Sequence, residues 1–366
     1  MANAKTSYSI TDILGPAISR EEALTRIQSD PASYEAYQSL NASYQNSLLQ
    51  FVMGQNGLAI TYDKVFRAVM LPGGTTDRLA HFLSIFFDAP VQVQMLLQRE
   101  GSQIDETSHL VIADIIAKMS DQSLVNVEIQ KIGYAFPGER SSCYTSDMIM
   151  RQYNYLKNKN PNFSYHDMKS VYLIVLMEKS PQCFRTDSGN YIHRMRHKFD
   201  TGIKVNLLDH IIFVSLDTFD SVKQNISTEQ DAWMTFLTAT DPDEIVHLVN
   251  AYPEFLACYH DLISFRAKPK ELIYMFSDAL RQMDHNTELY MIEELHNELR
   301  DTQDRLSSVK TALSSAETEL SSAITELSST RTELSSTKTE LAKSQQSNLE
   351  KDLIIKELKR QLAERQ

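Results

Sequence analysis

Cysteine is scarce in this chain of 366 residues: Cys143, Cys183 and Cys258 are the only three. They lie far apart and match no metal-ligand spacing, so neither a zinc site nor a disulfide framework is expected. They read as reduced thiols, in keeping with a cytoplasmic setting. Long apolar runs are missing too. No window of about 18 or more apolar residues occurs, so no membrane-spanning helix and no membrane partner are expected. The opening residues, MANAKTSYSITDILG, lack a basic segment followed by an apolar one, so no secretory signal is expected. A glycine-rich phosphate loop and a nucleophile elbow are also absent. Positive charge is in deficit, with 36 Lys and Arg against 48 Asp and Glu and a net charge of -12. That balance argues against a whole-surface nucleic-acid binder.

The charge is unevenly spread. Residues 128–204 carry 12 Lys and Arg against 7 Asp and Glu, whereas residues 205–300 carry 6 against 17. One face can therefore attract phosphate while the rest repels it. With 42% hydrophobic residues the chain can bury a substantial core, as one large domain or two smaller ones with extensions.

Helices are expected over residues 16–54. Ser19-Arg20-Glu21-Glu22 fits a capping box, and Asp30-Pro31 fits a start with Asp as N-cap and Pro at the first helical position. A helix is expected at Tyr62–Met70, a break at Pro72-Gly73-Gly74, and a further helix over Thr75–Phe87. Strands are expected at Val91–Leu97, Leu110–Lys118 and Leu124–Ile132. A helix over Ser141–Lys157 follows, then a buried strand at Ser170–Glu178, a weakly alternating stretch at Tyr191–Phe199, and a buried strand at His210–Leu216. Strands interrupted by a helix imply an α/β or α+β core with a mixed sheet. After Phe219 the pattern turns helical, with a strong start at Asp241-Pro242-Asp243-Glu244.

The last part is repetitive: TALSSAE, TELSSAI, TELSSTR, TELSSTK and TELAKSQ succeed one another. Leu299, Leu306, Leu313, Leu320, Leu327, Leu334 and Leu341 are each seven apart. The second seam is small and polar: Val309, Ala316, Ala323, Thr330, Thr337 and Ser344. This is a coiled-coil pattern with one weak seam, expected to join chains into a homo-oligomer. Helical from Leu295 to Gln345, it would span about 75 Å at about 1.5 Å per residue. Four segments follow: N-terminal helices at 1–58, a strand-rich core at 59–222, an acidic helical region at 223–290, and the heptad repeat at 291–366.

Chemistry concentrates in HLVIADIIAKMSDQSLVNVEIQK, His109 to Lys131. Two strands joined by a short turn would bring Asp114 beside Glu128. Glu128 and Gln130, two apart, project from one strand face. Two carboxylates on neighbouring strands suit a hard cation such as Mg2+, with Mn2+ as an alternative, and a main-chain carbonyl near Ile129 could complete the set. Gln130 is placed to orient a nucleophilic water. His193 and His197 are four apart but sit in an extended segment without an acid, so they read as surface or phosphate-facing residues.

These residues resemble the PD-(D/E)XK nuclease superfamily, and most closely its transposase-like, recombination-promoting branch. That branch carries a helical Asp, then an Asp on one strand and E-x-Q on the next, an Arg/Tyr-rich helix and an apolar strand. Here stand Asp63 in TYDKVFRAVM, Asp114 in LVIADIIAK, Glu128 and Gln130 in VNVEIQK, and Arg140, Tyr144, Arg151, Gln152 and Tyr153 in GERSSCYTSDMIMRQYNY. SVYLIVLME is the apolar strand. The likeness runs over about residues 60–220. Ala113 replaces the Pro of the superfamily's name, and Gln130 replaces its Lys, as the branch itself does.

The resemblance implies a restriction-endonuclease-like mixed sheet flanked by helices. It also implies a Mg2+-dependent DNA endonuclease with Asp63, Asp114, Glu128 and Gln130 as catalytic residues. Asp114 and Glu128 would hold metal, and Arg140 and Arg151 would contact phosphate. The alternative is a catalytically inactive nuclease fold that oligomerises through its coil and binds a protein partner.

Overall fold

The computed structural model describes residues 7–87, 90–97, 115–132, 137–185 and 189–363. It divides into two compact units, Met1–Ile292 and Glu293–Gln366. The first unit opens with four short helices, α1 (Ile10–Leu14), α2 (Arg20–Gln28), α3 (Pro31–Ser39) and α4 (Ala42–Met53). Each starts on a side chain that accepts a free backbone amide: Ser9, Ser19, Asp30 and Asn41. Helix α5 (Asp63–Met70) ends at the Pro72–Gly74 turn, and α6 (Asp77–Ser84) follows.

A six-stranded mixed sheet comes next. Its strands are β1 (Val93–Leu96), β2 (Ile115–Met119), β3 (Leu124–Ile132), β4 (Val171–Lys179), β5 (Ile192–Arg194) and β6 (Asp209–Ser215), and α7 (Pro137–Lys159) lies between β3 and β4 in the chain. The order across the sheet is β1-β2-β3-β4-β6-β5. Strands β3, β4 and β6 run parallel to one another, and β1, β2 and β5 are antiparallel to their neighbours. The helices α8 (Leu216–Val222), α9 (Glu229–Thr238), α10 (Pro242–Ala251) and α11 (Phe255–Ile263) close this unit, together with the start of α12 (Pro269–Ala363).

Of the strand expected at Leu110–Lys118, residues 110–114 lie outside the described residues and the rest is β2. Two further boundaries differ most from expectation. Helix α7 begins at Pro137 rather than Ser141, because Pro has no amide to leave unsatisfied in a first turn. The stretch expected at Tyr191–Phe199 narrows to a three-residue strand on the sheet edge.

The sheet is covered on both faces. On one, Val125, Val127, Ile174, Leu176, Ile212 and Val214 share a core with the N-terminal helices and with Trp233, Tyr259 and Phe276. On the other, Ile116, Leu124, Val171, Leu173, Val175, Met177 and Ile211 pack with Tyr144 and Met148 of α7. Burial on both faces explains why β4 reads as an unbroken apolar run. Buried Arg266 crosses between distant parts of the first core, donating to the carbonyls of Leu14, Pro16 and Val52.

In the second unit the described residues are helical, and from Leu299 on their side chains are exposed. The leucines of the seven-residue repeat are 54–71% exposed.

Candidate active site

Strand β3 has the sequence LVNVEIQKI. Alternation puts its odd residues, Val125 and Val127, into the larger core, and its even residues onto the face beneath α7. That second face is apolar at Leu124 and then carries three polar side chains in a row, Asn126, Glu128 and Gln130. All three are buried, at 1%, 4% and 8% exposed. The Asn126 Nδ2 donates to Glu128 Oε1 at 2.9 Å. Asn126 Oδ1 and Gln130 Oε1 are buried with no hydrogen-bond partner among the described residues.

An unsatisfied buried amide oxygen costs roughly 1–3 kcal/mol. Two of them flank a buried carboxylate, so this row is a set of hard oxygen donors. Hard oxygen donors of this kind fit a hard divalent cation.

Glu128 and Gln130 are thus brought together on one face. Asp114 lies outside the described residues. Its successor in the sequence, Ile115, pairs with Val127, the residue before Glu128. Asp63 is the first residue of α5. The two residues before it meet the end of β3: Lys131 Nζ donates to Thr61 Oγ1 at 2.8 Å and sits 3.5 Å from the centre of the Tyr62 ring.

Lys131 follows Gln130 but does not replace the superfamily's lysine. It is on the opposite sheet face, where it pairs with Glu178 Oε2 at 2.5 Å. Burial pushes its pKa down, against the pull of Glu178.

Arg140 and Arg151 lie on α7. Arg140 donates to Tyr144 Oη at 2.8 Å, and Arg151 Nε pairs with Asp147 at 2.7 Å. The 16–17% exposure of both partners means that much of the Arg151 charge is met inside the protein. His193 is partly buried on the sheet-edge strand, where its ring packs against Phe184, and burial holds its pKa below the usual value. Among the described residues no group of three or more His, Cys, Asp or Glu side chains gathers as a metal cluster.

Asn126 was not singled out from the sequence. The signal was there, in the alternation V-N-V-E-I-Q, but a polar residue in a strand reads first as solvent-facing. Only the helix over that face makes it part of the site.

A family model, that of the PD-(D/E)XK nuclease family transposase, matches residues 60–293. The chain belongs to this family. No curated protein and no solved structure matches it. The PD-(D/E)XK match runs well past the expected limit near residue 220, through α9, α10 and α11. The physical reason is that those helices share the sheet's core: Trp233 and Phe236 of α9, Leu248 of α10 and Tyr259 of α11 belong to the same cluster as the strand residues.

Proposed function

We propose that this PD-(D/E)XK protein is a Mg2+-dependent endodeoxyribonuclease of transposase-like character, with Mn2+ able to substitute. The observation that carries the reading is the buried Asn126-Glu128-Gln130 row on an otherwise apolar face. Asp114 and Glu128 are the metal ligands. The Asn126 amide fixes the orientation of the Glu128 carboxylate. Gln130 offers its buried Oε1 to a proton of the attacking water, and so orients it. Asp63 assists from the start of α5, and Arg140 and Arg151 contact phosphate from α7. When bound, the cation supplies a water of lowered pKa and neutralises charge on the scissile phosphate. Because Gln130 is neutral, this site lacks the second cation that a lysine would place there.

The three thiols are free, which supports a reducing, cytoplasmic compartment. No described helix is long and apolar enough to cross a membrane. The exposed leucine stripe of α12 supports assembly with a second copy of the chain.

The test is cleavage of supercoiled and linear DNA with Mg2+ or Mn2+. Native chain should nick or cut, and Asp114→Ala and Glu128→Ala should not. Asn126→Ala should lower activity about 10–100-fold, as loss of an orienting partner does. Equal cleavage by native and variant chains would place the activity elsewhere. No cleavage by a folded native chain would favour the second reading, an inactive nuclease fold that binds a protein partner. Gln130 in the lysine position and the net charge of -12 are the observations on that side.

A further inference from the structure

The exposed leucine stripe of α12 carries more than a reason to associate: its neighbours set a direction and a register. With Leu313, Leu320, Leu327 and Leu334 at position a of the heptad, position d holds Ala316, Ala323, Thr330 and Thr337. The stripe does not stop at Leu341. Ile355 and Leu362 stand fourteen and twenty-one residues beyond it, 47% and 66% exposed. Between them and Leu341 the a position is Asn348, an amide in a row of aliphatic side chains.

The two flanks of the seam differ in sign. Position g, one residue before each leucine, is Glu319, Glu326, Glu333 and Glu340. Position e, four residues after a leucine, is Arg331 and Lys338 in the same stretch. Glu326, Arg331, Glu333 and Lys338 are all exposed. None of these four has an opposite charge three or four residues away, so no ion pair along its own helix is open to it. Among the described residues of this unit the ion pair is Arg360 with Glu357, further along the chain.

Two helices packed through this seam bring flank against flank. If they run parallel and in register, g of one chain meets e of the next heptad in the other. Glu326 then meets Arg331 of the second copy, Glu333 meets its Lys338, and symmetry repeats both pairs. If they run antiparallel, g faces g and e faces e, which sets glutamates against glutamates and cations against cations. Arg305 against Lys310, near the start of the stripe, is of like sign in the parallel arrangement. Asn348 supplies the register. In a parallel pair position a faces itself, so the two amides hydrogen-bond to each other, and an amide at a single a position also fixes the number of strands. A slip by one heptad would bury each amide against Leu341 or Ile355, with its hydrogen bonds unmade.

We propose that this stripe is the docking surface for a second copy of the chain, in a parallel, in-register, two-stranded coil. The Glu and Arg/Lys flanks set the direction and Asn348 sets the register. Both first units are then joined to the same end of the coil. The assignment goes beyond the nuclease reading and does not rest on it.

The experiment combines sedimentation equilibrium with disulfide cross-linking of the full chain, and no DNA is present. The native chain should sediment as a dimer. With the exposed Cys143 and Cys183 changed to Ser, Val309→Cys places a thiol at position d, which faces itself in a parallel pair. Oxidation should therefore close a covalent dimer. In an antiparallel pair the two thiols lie toward opposite ends and do not meet. Glu326→Lys with Glu333→Lys should weaken the dimer about tenfold or more, because two pairs and their symmetry mates turn from attraction to repulsion. Adding Arg331→Glu and Lys338→Glu to that chain should restore it. Asn348→Leu should raise the melting temperature of the coil and yield larger or mixed species.

A native chain that sediments as a monomer or a trimer would overturn the two-stranded coil. A dimer that Val309→Cys does not cross-link would overturn the parallel direction. So would a Glu326→Lys, Glu333→Lys chain of native affinity, since like charges face each other before and after the change in an antiparallel pair. An Asn348→Leu chain that stays a pure dimer would take the register from Asn348. All of these are read without cleavage, so a native chain that dimerises as described but never cuts DNA leaves the coil standing while the nuclease reading falls.

Discussion

Asp30 acts at two scales of the chain at once. Its carboxylate caps α3 by accepting from the Ser33 amide at 2.9 Å, and it also takes a hydrogen bond from Lys270 at 2.9 Å, at the start of α12. The Ser33 hydroxyl contributes most, and with Lys270 it lowers the Asp30 pKa to about 2. A carboxylate depressed in the fold stabilises it above the unfolded value near 3.8, and that contribution is lost as pH falls through about 2. The melting-temperature difference between native and Asp30→Asn chains should therefore be constant above about pH 5 and shrink steadily below about pH 4. A difference that stays constant to pH 2 would show that the charge plays no part. Gly54 makes a second residue-scale case. It caps α4 with φ +76°, and a Cβ there would meet the Arg266 guanidinium. Gly73 also has positive φ, at +60°, but a Cβ there meets nothing within 4 Å. Gly73→Ala should cost about 1 kcal/mol, the backbone penalty alone, and Gly54→Ala clearly more, because Arg266 must leave its carbonyls. Urea unfolding of both variants checks the ranking.

At the scale of elements, local chemistry was the legible part. Ser19, Asp30 and Asp241 each start a helix as their side chains suggest, because a cap is settled within four residues. The same holds for β3: Glu128 and Gln130 share a face because alternation is built into a strand, whatever packs on it. What lay beyond local reading was the covering of each face. Nothing within LVNVEIQKI says that its even side lies under α7, so Asn126 is not legible as a site residue, nor is the burial of Lys131 on the opposite face. The structure spends Lys131 on Glu178 and Thr61, two partners 47 and 70 residues away. The arginines of α7 were read from the resemblance as phosphate contacts. Local spacing would have shown Asp147 four before Arg151, the i,i+4 arrangement that pairs them. In the repeat, Thr311, Thr318, Thr325, Thr332 and Thr339 each turn the hydroxyl onto the carbonyl four residues back. A Thr-rich segment can stay helical in this way, since each hydroxyl finds its acceptor inside the helix.

For the whole molecule the open question is what the second unit adds to the first. The seven leucines of the repeat are more than half exposed. Burying a leucine is worth about 1.5–3 kcal/mol, so a stripe repeated every seven residues is a strong reason for two chains to associate, even with Thr and Ser in the other seam. If two nuclease cores are joined in this way, the second cut on a duplex becomes an intramolecular event at a raised effective concentration. Replacing Leu320 and Leu327 with Asp should then convert the oligomer to a monomer in light scattering. It should leave the first unit folded, because that unit extends only to Ile292, well before both positions. On supercoiled plasmid, the native chain should yield linear product directly. The Leu320→Asp, Leu327→Asp chain should accumulate nicked circles, with the ratio of linear to nicked product down about tenfold or more. A monomeric variant that still linearises plasmid as readily as the native chain would mean that one core cuts both strands, and that the helix serves some end other than pairing active sites.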